Sequence, residues 1–263
     1  FPDIHPLADA TTVKEVEDYP GWPNMDDPYR VALVKQAAAE IKNSSNYSVM
    51  ATPWLLFPFE RAYMMQGLDK FLFNMARYPD FAKALFRKHL DLCKTLMGHF
   101  LDELGDNVDI IKIGDDLGTQ ENLMISPTMY RNLLKPIHAE FISFIKERTK
   151  AKVFFHTDGD VFNLIEDFID MGVDILNPIQ TSAGKMSNLS LLKETFGDRI
   201  IFCGGIDTQK ILPFGTPEDV RKEVKRVSSI LGEGGGYIMS SVHTIMNDVP
   251  PENILAMVQA IEG

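Results

Sequence analysis

The sequence predicts an α/β fold with a parallel sheet, specifically a (β/α)8 barrel of the TIM type whose first strands are absent from this chain. Two observations predict it. Six short apolar runs alternate with amphipathic segments of helical length along the 263 residues, and no linker interrupts them. A doubly wound sheet shows the same alternation, but its glycine-rich phosphate turn is missing, because "GEGGGY" precedes a strand instead of opening a helix.

The elements follow one another in a regular order. Apolar and β-branched runs predict strands at 47–52, 108–114, 152–156, 173–178, 199–205 and 236–241. Two of the helices between them have marked starts, because Ser126 stands before Pro127 and Thr216 stands before Pro217. Each pair is an N-cap followed by proline at the first helical position. Six strands joined by helices imply a parallel sheet covered on both faces.

Composition limits the classes of function. The chain is 45% hydrophobic and 24% charged, which fits one domain over residues 1–263. A net charge of -11 argues against a nucleic-acid partner. Cys93 and Cys203 are the only cysteines and no apolar run has membrane length, so we expect a cytoplasmic protein without disulfides or membrane contact. For an acidic barrel of this size a homodimer is one expected state. Phe1 follows no initiator Met or signal-like segment, so the start is expected to be a cut edge.

Polar residues stand where the predicted strands end. Because the carboxyl ends of parallel barrel strands carry the active site, these residues are candidates for it. They are Asp115, Asp116, His156, Asp158, Asn177, Gln180, Cys203, Asp207 and His243. Asp160, which precedes "VFNLIEDF", and Asp207 fit equally well as caps of the helices that follow.

A divalent metal site is the first hypothesis for these residues. His156 and Asp158 are two positions apart at the end of an extended run, so their side chains point to the same side. His243, at a later strand end, is the predicted third ligand, and Cys203 could add a sulfur. Asp115 or Asp116 would then orient a ligating imidazole. A capped turn with a hydrogen-bonded His156 fits the same residues equally well.

Four stretches carry a resemblance that covers nearly the whole chain. They are "GDDLGTQENLMISPTMYR", "FFHTDGDVFNLIEDFIDMGVDILNPIQ", "IIFCGGIDTQKILPFGTPEDVRKEV" and "GGGYIMSSVHTIMNDVPPENILAM". They resemble the uroporphyrinogen decarboxylase superfamily, which contains uroporphyrinogen decarboxylases and cobalamin-dependent methyltransferases. The resemblance implies a (β/α)8 barrel that is longer than this chain, with the first strands missing.

The resemblance implies site residues in both branches of the superfamily. Tyr63, in "FERAYMMQG", and His243 match the active-site tyrosine and histidine of the decarboxylases. In the methyltransferases a His-x-Cys pair and a later Cys hold zinc; here His156 matches the histidine, Asp158 replaces the first cysteine and His243 falls at about the second. Carboxylate and imidazole ligands make a harder site, suited to Zn, Mn or Fe with oxygen substrates.

These matches favour metal-dependent methyl transfer linked to a corrinoid protein, with zinc as the expected metal. Decarboxylation of uroporphyrinogen in tetrapyrrole or haem biosynthesis is the alternative, and a non-catalytic tetrapyrrole-binding barrel is the second alternative. Asp116 joins Tyr63 and His243 as a catalytic candidate, and the substrate-binding candidates are Asp115, Asn177, Gln180 and Trp54. Phe59 and Met64 beside Tyr63 would wall a pocket for a planar tetrapyrrole or corrinoid.

Overall fold

The computed structural model describes residues 4–53 and 58–262, and the predicted strands are present in that range. One sheet contains six strands in the order of the chain. They are β1 Met50–Ala51, β2 Ile110–Gly114, β3 Lys152–His156, β4 Ile175–Ile179, β5 Ile201–Ile206 and β6 Tyr237–Ser241. The pairs β1–β2, β4–β5 and β5–β6 are parallel. The α/β class is therefore confirmed, with the strand order of a TIM-type barrel that lacks strands.

The described residues form two compact units. The first unit comprises the residues up to Asp116 together with 125–154, and the second comprises 117–124 together with the residues from Phe155 onward. The prediction of one domain over 1–263 stays a prediction. No helix in 4–53 or 58–262 combines the length and the apolar character needed to cross a membrane.

The first unit is mostly helical. Its helices are α1 Val13–Glu17, α2 Val34–Ser44, α3 Pro58–Gln66, α4 Leu68–Arg77, α5 Pro79–Leu104, α6 Pro127–Met129 and α7 Lys135–Lys146. Three buried rings join α3, α4 and α5, because Phe71 packs on Phe59 with ring centroids 6.1 Å apart and on Phe86 at 5.6 Å. These contacts hold α3, which carries Tyr63, in a fixed position against the core.

A widened turn separates α6 from α7. The sequence reads as one helix from residue 128 to 150, but Tyr130–Leu134 forms a π-helical turn in which the Lys135 N–H donates to the Tyr130 carbonyl, five residues earlier. Pro136 explains the change, because it has no N–H to donate to the carbonyl four residues before it and its ring crowds that carbonyl.

Both predicted helix starts are confirmed. The Ser126 hydroxyl accepts a hydrogen bond from the Met129 N–H at the start of α6. Thr216 and Asp219 form a reciprocal capping box at the start of the helix Pro217–Leu231, where the Asp219 N–H donates to the Thr216 hydroxyl over 3.2 Å. Each cap satisfies a backbone N–H that has no partner within its helix.

The second unit alternates strands and helices. Its helices are α8 Ile165–Met171, α9 Leu189–Phe196, α10 Ile211–Phe214, α11 Pro217–Leu231 and α12 Pro251–Glu262. Phe155 in β3 stacks on Phe168 in α8 with ring centroids 4.9 Å apart, and both are buried. Leu176 and Phe202 are fully buried in β4 and β5. This packing fixes the strands whose ends carry the candidate site.

Candidate metal centre

A tight turn after β3 sets the position of Asp158. His156 is the last residue of the strand, and the Thr157 N–H donates to the Asn177 carbonyl over 2.8 Å, which continues the pairing with β4. The chain then turns at Gly159, whose φ of 88° lies in the region that glycine adopts without strain. His156 and Asp158 consequently leave the same short stretch of backbone.

The loop 117–124 holds this turn in place. The Gly118 N–H donates to the Asp158 carbonyl over 3.1 Å, and the Asp160 N–H donates to the Thr119 carbonyl over 2.8 Å. The two backbones approach so closely that a Cβ atom on Gly159 would overlap the backbone of Gly118. The turn is therefore bound on both sides of Gly159, directly after the Asp158 side chain.

Three side chains of the second unit converge at this turn. His156 Nε2 lies 3.9 Å from one carboxylate oxygen of Asp158, and His243 Nε2 lies 3.7 Å from the other. One possible ligand atom from each residue lies within 4.8 Å of the other two. Ligands of a tetrahedral zinc ion are about 3.4 Å apart, so a small side-chain adjustment would accommodate one ion. We call His156, Asp158 and His243 the triad.

Asn177 orients the first imidazole of the triad. Its Oδ1 lies 2.7 Å from His156 Nδ1, and its Nδ2 lies 3.5 Å from the Cys203 carbonyl. Because Nδ2 donates to the carbonyl, Oδ1 is left to accept a proton from Nδ1. The proton on Nδ1 leaves the lone pair of Nε2 facing Asp158. Asn177 therefore orients the His156 imidazole, which is the role that the sequence suggested for Asp115 or Asp116.

Cys203 does not belong to the group. The residues whose ligand atoms lie within 4.8 Å of one another are His156, Asp158 and His243. The Cys203 sulfur instead contacts Asn177 Nδ2 and the Ser240 hydroxyl, each at 3.6 Å, and the residue is buried. Its side chain packs between β4 and β6, and the suggestion that Cys203 supplies a metal ligand stays a prediction.

A cavity of about 330 Å³ opens beside the triad. Gln180 forms part of its wall, and the Gly159 N–H donates to Gln180 Oε1 over 2.8 Å. The full lining is Gly118, Thr119, Gln120, Asp158, Gly159, Gln180, Thr208, Gln209, Val242, His243, Thr244 and Met246. His243 has 53% of its side chain exposed, so it is the member of the triad most open to a ligand.

Asp160 and Asp207 have structural roles. Asp160 accepts from the Phe162 N–H over 3.2 Å and from the Lys185 N–H over 3.0 Å. Asp207 accepts from the Gln209 N–H over 2.7 Å. Each carboxylate thus satisfies a backbone N–H two residues along the chain, which is the capping alternative considered for both, and Asp160 also binds Lys185, 25 residues away.

Asp115 lies in the first unit with no accessible surface. It accepts hydrogen bonds from the Phe59 and Glu60 N–H groups at 2.8 and 3.0 Å and lies 3.1 Å from His138 Nε2. Burial raises its pKa, and the bond to His138 opposes that change. Asp115 is enclosed where it holds α3 and His138, and its suggested roles in substrate binding and in orienting a ligand stay predictions.

Glu60 and His138 were not identified from the sequence. Burial raises the pKa of Glu60 to about 7, and the negative charges of Asp116 and Asp115 add to the effect. The Tyr63 hydroxyl donates to Glu60 over 3.3 Å, and burial raises the pKa of Tyr63 above its usual range. The spacing of Glu60 and Tyr63, three residues apart on α3, was the available signal for Glu60.

The predicted aromatic pocket is divided between core and cavity. Phe59 is fully buried and packs edge-to-face on Tyr63, so it belongs to the core. Met64 does line a cavity, of about 540 Å³, together with Trp22 and Arg61 in the first unit. Trp54 lies outside the described residues.

Comparison with known proteins identifies the family. The family model for uroporphyrinogen decarboxylase (URO-D) matches residues 2–263. Uroporphyrinogen decarboxylase of Psychromonas ingrahamii is 24% identical over 90% of this chain, and that of Methylococcus capsulatus is 22% identical over 89%. The chain spans 66% and 63% of the lengths of these relatives, which is less than two thirds.

A solved structure supports the same fold. A methyltransferase from Methanosarcina mazei aligns with a TM-score of 0.69 at 19% identity, over 89% of this chain and 64% of its own. At that identity the likeness concerns the fold alone. Because the family model matches residues 2–263 and the fold agrees, the chain belongs to the uroporphyrinogen decarboxylase (URO-D) family.

Proposed function

We propose that the chain is the metal-binding part of an enzyme that transfers a methyl group between an oxygen of a small molecule and a corrinoid. The observation that carries the proposal is the triad, in which two imidazoles and a carboxylate converge beside a cavity. Asn177 supports it, because a buried hydrogen bond to the distal nitrogen of an imidazole is the usual companion of a metal ligand. The Methanosarcina mazei protein of similar fold is named a methyltransferase, which also supports the proposal.

Two imidazoles and one carboxylate fit a divalent cation. Three protein ligands with room for a fourth are typical of catalytic zinc, and the cavity beside Asp158 and His243 provides that room. A divalent cation held there would act as a Lewis acid and make a substrate hydroxyl a nucleophile near neutral pH. Asn177 holds His156 and the turn at Gly159 holds Asp158, so the chain positions two of its three ligands.

The corrinoid is the second reactant of the proposed transfer, and it supplies the methyl group. A carbon–oxygen bond forms to the substrate oxygen while the carbon–cobalt bond of the methylated corrinoid breaks, and the electron pair of the broken bond stays on cobalt. The hydroxyl proton leaves to solvent through the open side of the cavity, where His243 is exposed. The reverse reaction would demethylate an ether.

Metal analysis of the full-length protein tests the proposal. We expect one zinc per chain in the wild type, and a loss of zinc affinity of more than about 100-fold in both Asp158→Ala and His243→Ala, because each removes a ligand. His99→Ala is the matched control, since His99 pairs with Asp26 over 2.7 Å in an exposed position of the first unit. Metal-free wild type with full activity would eliminate the proposal.

Decarboxylation of uroporphyrinogen is the second candidate. It is favoured by the names of the curated relatives and by Tyr63 and His243, which match the active-site positions of that branch. This chemistry needs no metal. Release of CO₂ from uroporphyrinogen by full-length protein that has been stripped of metal would favour it over methyl transfer.

A further inference from the structure

The cavity beside the triad has the size and walls of a small-molecule site. Its volume of about 330 Å³ is at the lower end of the range of ligand pockets, about 300 to 1,000 Å³. Six of its lining residues carry a hydroxyl or a side-chain amide: Thr119, Gln120, Gln180, Thr208, Gln209 and Thr244. The described lining residues include no lysine or arginine, and the His243 imidazole is the one aromatic ring among them. Such walls recognise oxygen atoms of a ligand by hydrogen bonding.

Gln180 is the polar group set most firmly in this wall. It is 5% exposed, and its Oε1 accepts from the Gly159 N–H over 2.8 Å. That bond fixes the amide, because the oxygen must face the backbone donor. The NH₂ group of Gln180 is therefore the donor that it can offer to a ligand. A buried amide kept in one orientation selects a ligand that has an acceptor oxygen at that point.

Charge favours a neutral ligand. A cation held by the triad would bind one oxygen of the ligand, and beyond His243 the described walls supply amides and hydroxyls, so a second, charged group such as a carboxylate would be buried there without a counter-ion. The net charge of -11 also repels anions over long range. A neutral hydroxyl or ether oxygen carries neither cost and is matched by the same hydrogen-bond donors.

We propose that the small-molecule partner of the methyl transfer is a small, neutral, hydroxylated compound, which presents one oxygen to the triad and a second oxygen to the Gln180 amide. This inference rests on the proposed function and names the substrate class of the same site. The ligand would bind in the cavity beside Asp158 and His243 as an alcohol or as its methyl ether.

Ligand-observed NMR on zinc-loaded full-length protein tests the inference with three probes of similar size. They are the monomethyl ether of glycerol, the anion methoxypropionate and the apolar ether methoxybutane. We expect the glycerol ether to bind the zinc-loaded protein at least about 10-fold more tightly than methoxybutane, because it offers a second oxygen. On the same protein stripped of zinc, where no metal can take up a carboxylate, it should also bind more tightly than methoxypropionate. This comparison uses the unmodified protein and does not depend on the folding of any variant.

Gln180→Glu provides the residue-level test. Glutamate keeps an oxygen for the Gly159 N–H but replaces the NH₂ donor, so affinity for the glycerol ether should fall about 10-fold or more. Gln259→Glu is the matched control, because it adds the same charge at an exposed position of α12 outside the cavity lining, and it should change affinity less than about 2-fold. Equal losses in the two variants, or tighter binding of methoxypropionate by the wild type stripped of zinc, would overturn the inference.

Zinc content measured on the same samples separates the two proposals. Stoichiometric zinc without a preference for the glycerol ether overturns the inference and leaves the metal-dependent function standing. A preference for the glycerol ether in protein that binds no zinc supports the inferred ligand class and overturns the metal-dependent function.

Discussion

Asn177 determines which nitrogen of His156 faces the other members of the triad. With Oδ1 2.7 Å from Nδ1, it selects the tautomer that presents the Nε2 lone pair. Asn177→Leu should lower zinc affinity by about 10 to 100-fold, because both the tautomer and the ring orientation are lost. Asn177→Asp should retain affinity, since it keeps the acceptor. Zinc titration of the purified full-length variants against a competing chelator measures the change.

Asn253 offers a matched control for this prediction. It is also a buried asparagine of the second unit, and its Nδ2 donates to the Leu212 and Gly215 carbonyls, each over 2.8 Å. Asn253→Leu should therefore lower the free energy of unfolding by about 1 to 3 kcal/mol while zinc affinity is unchanged. An equal loss of zinc affinity in Asn253→Leu would mean that Asn177 acts through general stability.

Local spacing identified part of the site and missed the rest for a physical reason. His156 and Asp158 were predicted from their separation of two residues at a strand end, and the structure brings their side chains together with His243. Asn177 was predicted to bind substrate, yet its contact with His156 spans 21 residues. Such a contact depends on the register of β3 against β4, which no local pattern specifies.

The turn after β3 is the element on which the geometry of Asp158 depends. Gly159→Ala should cost more than about 3 kcal/mol of folding stability and lower zinc content, because its φ of 88° strains alanine and its Cβ would overlap Gly118. Gly234→Ala is the control, with a φ of 69° and no atom near the added Cβ, so it should cost only about 1 kcal/mol. Chemical unfolding with zinc analysis compares them, and equal costs would contradict the close-approach argument.

The elements themselves were largely predictable because their signals are local. Strand runs and the caps at Ser126 and Thr216 depend on neighbours within four residues, and the structure has all of them. The predicted strand at 47–52 is reduced to Met50–Ala51. The π-helical turn at Tyr130–Leu134 was missed, because amphipathic periodicity continues through it and only Pro136 signals the change.

At the scale of the whole molecule, burial distinguishes Asp115 from Asp158, two aspartates whose settings look alike in the sequence. Asp115 and Asp158 both follow a predicted strand and both approach a histidine, but Asp115 has no exposed surface whereas 30% of the Asp158 side chain is exposed. Exposure depends on packing between distant segments, so the sequence could not rank the two. The structure assigns Asp115 to the core of the first unit and leaves Asp158 open to the cavity.

The location of the triad in one compact unit predicts where a metal stabilises the protein. All three residues belong to the second unit, so zinc should slow amide exchange in β3, β4 and β6 and leave α3 to α5 of the first unit largely unchanged. When free zinc is at about 1,000 times its dissociation constant, it should raise the free energy of any opening that separates the three ligands by about 4 kcal/mol. Hydrogen–deuterium exchange of full-length protein with and without zinc measures the gain. Asp158→Ala should abolish it, and protection confined to the first unit would place the metal elsewhere.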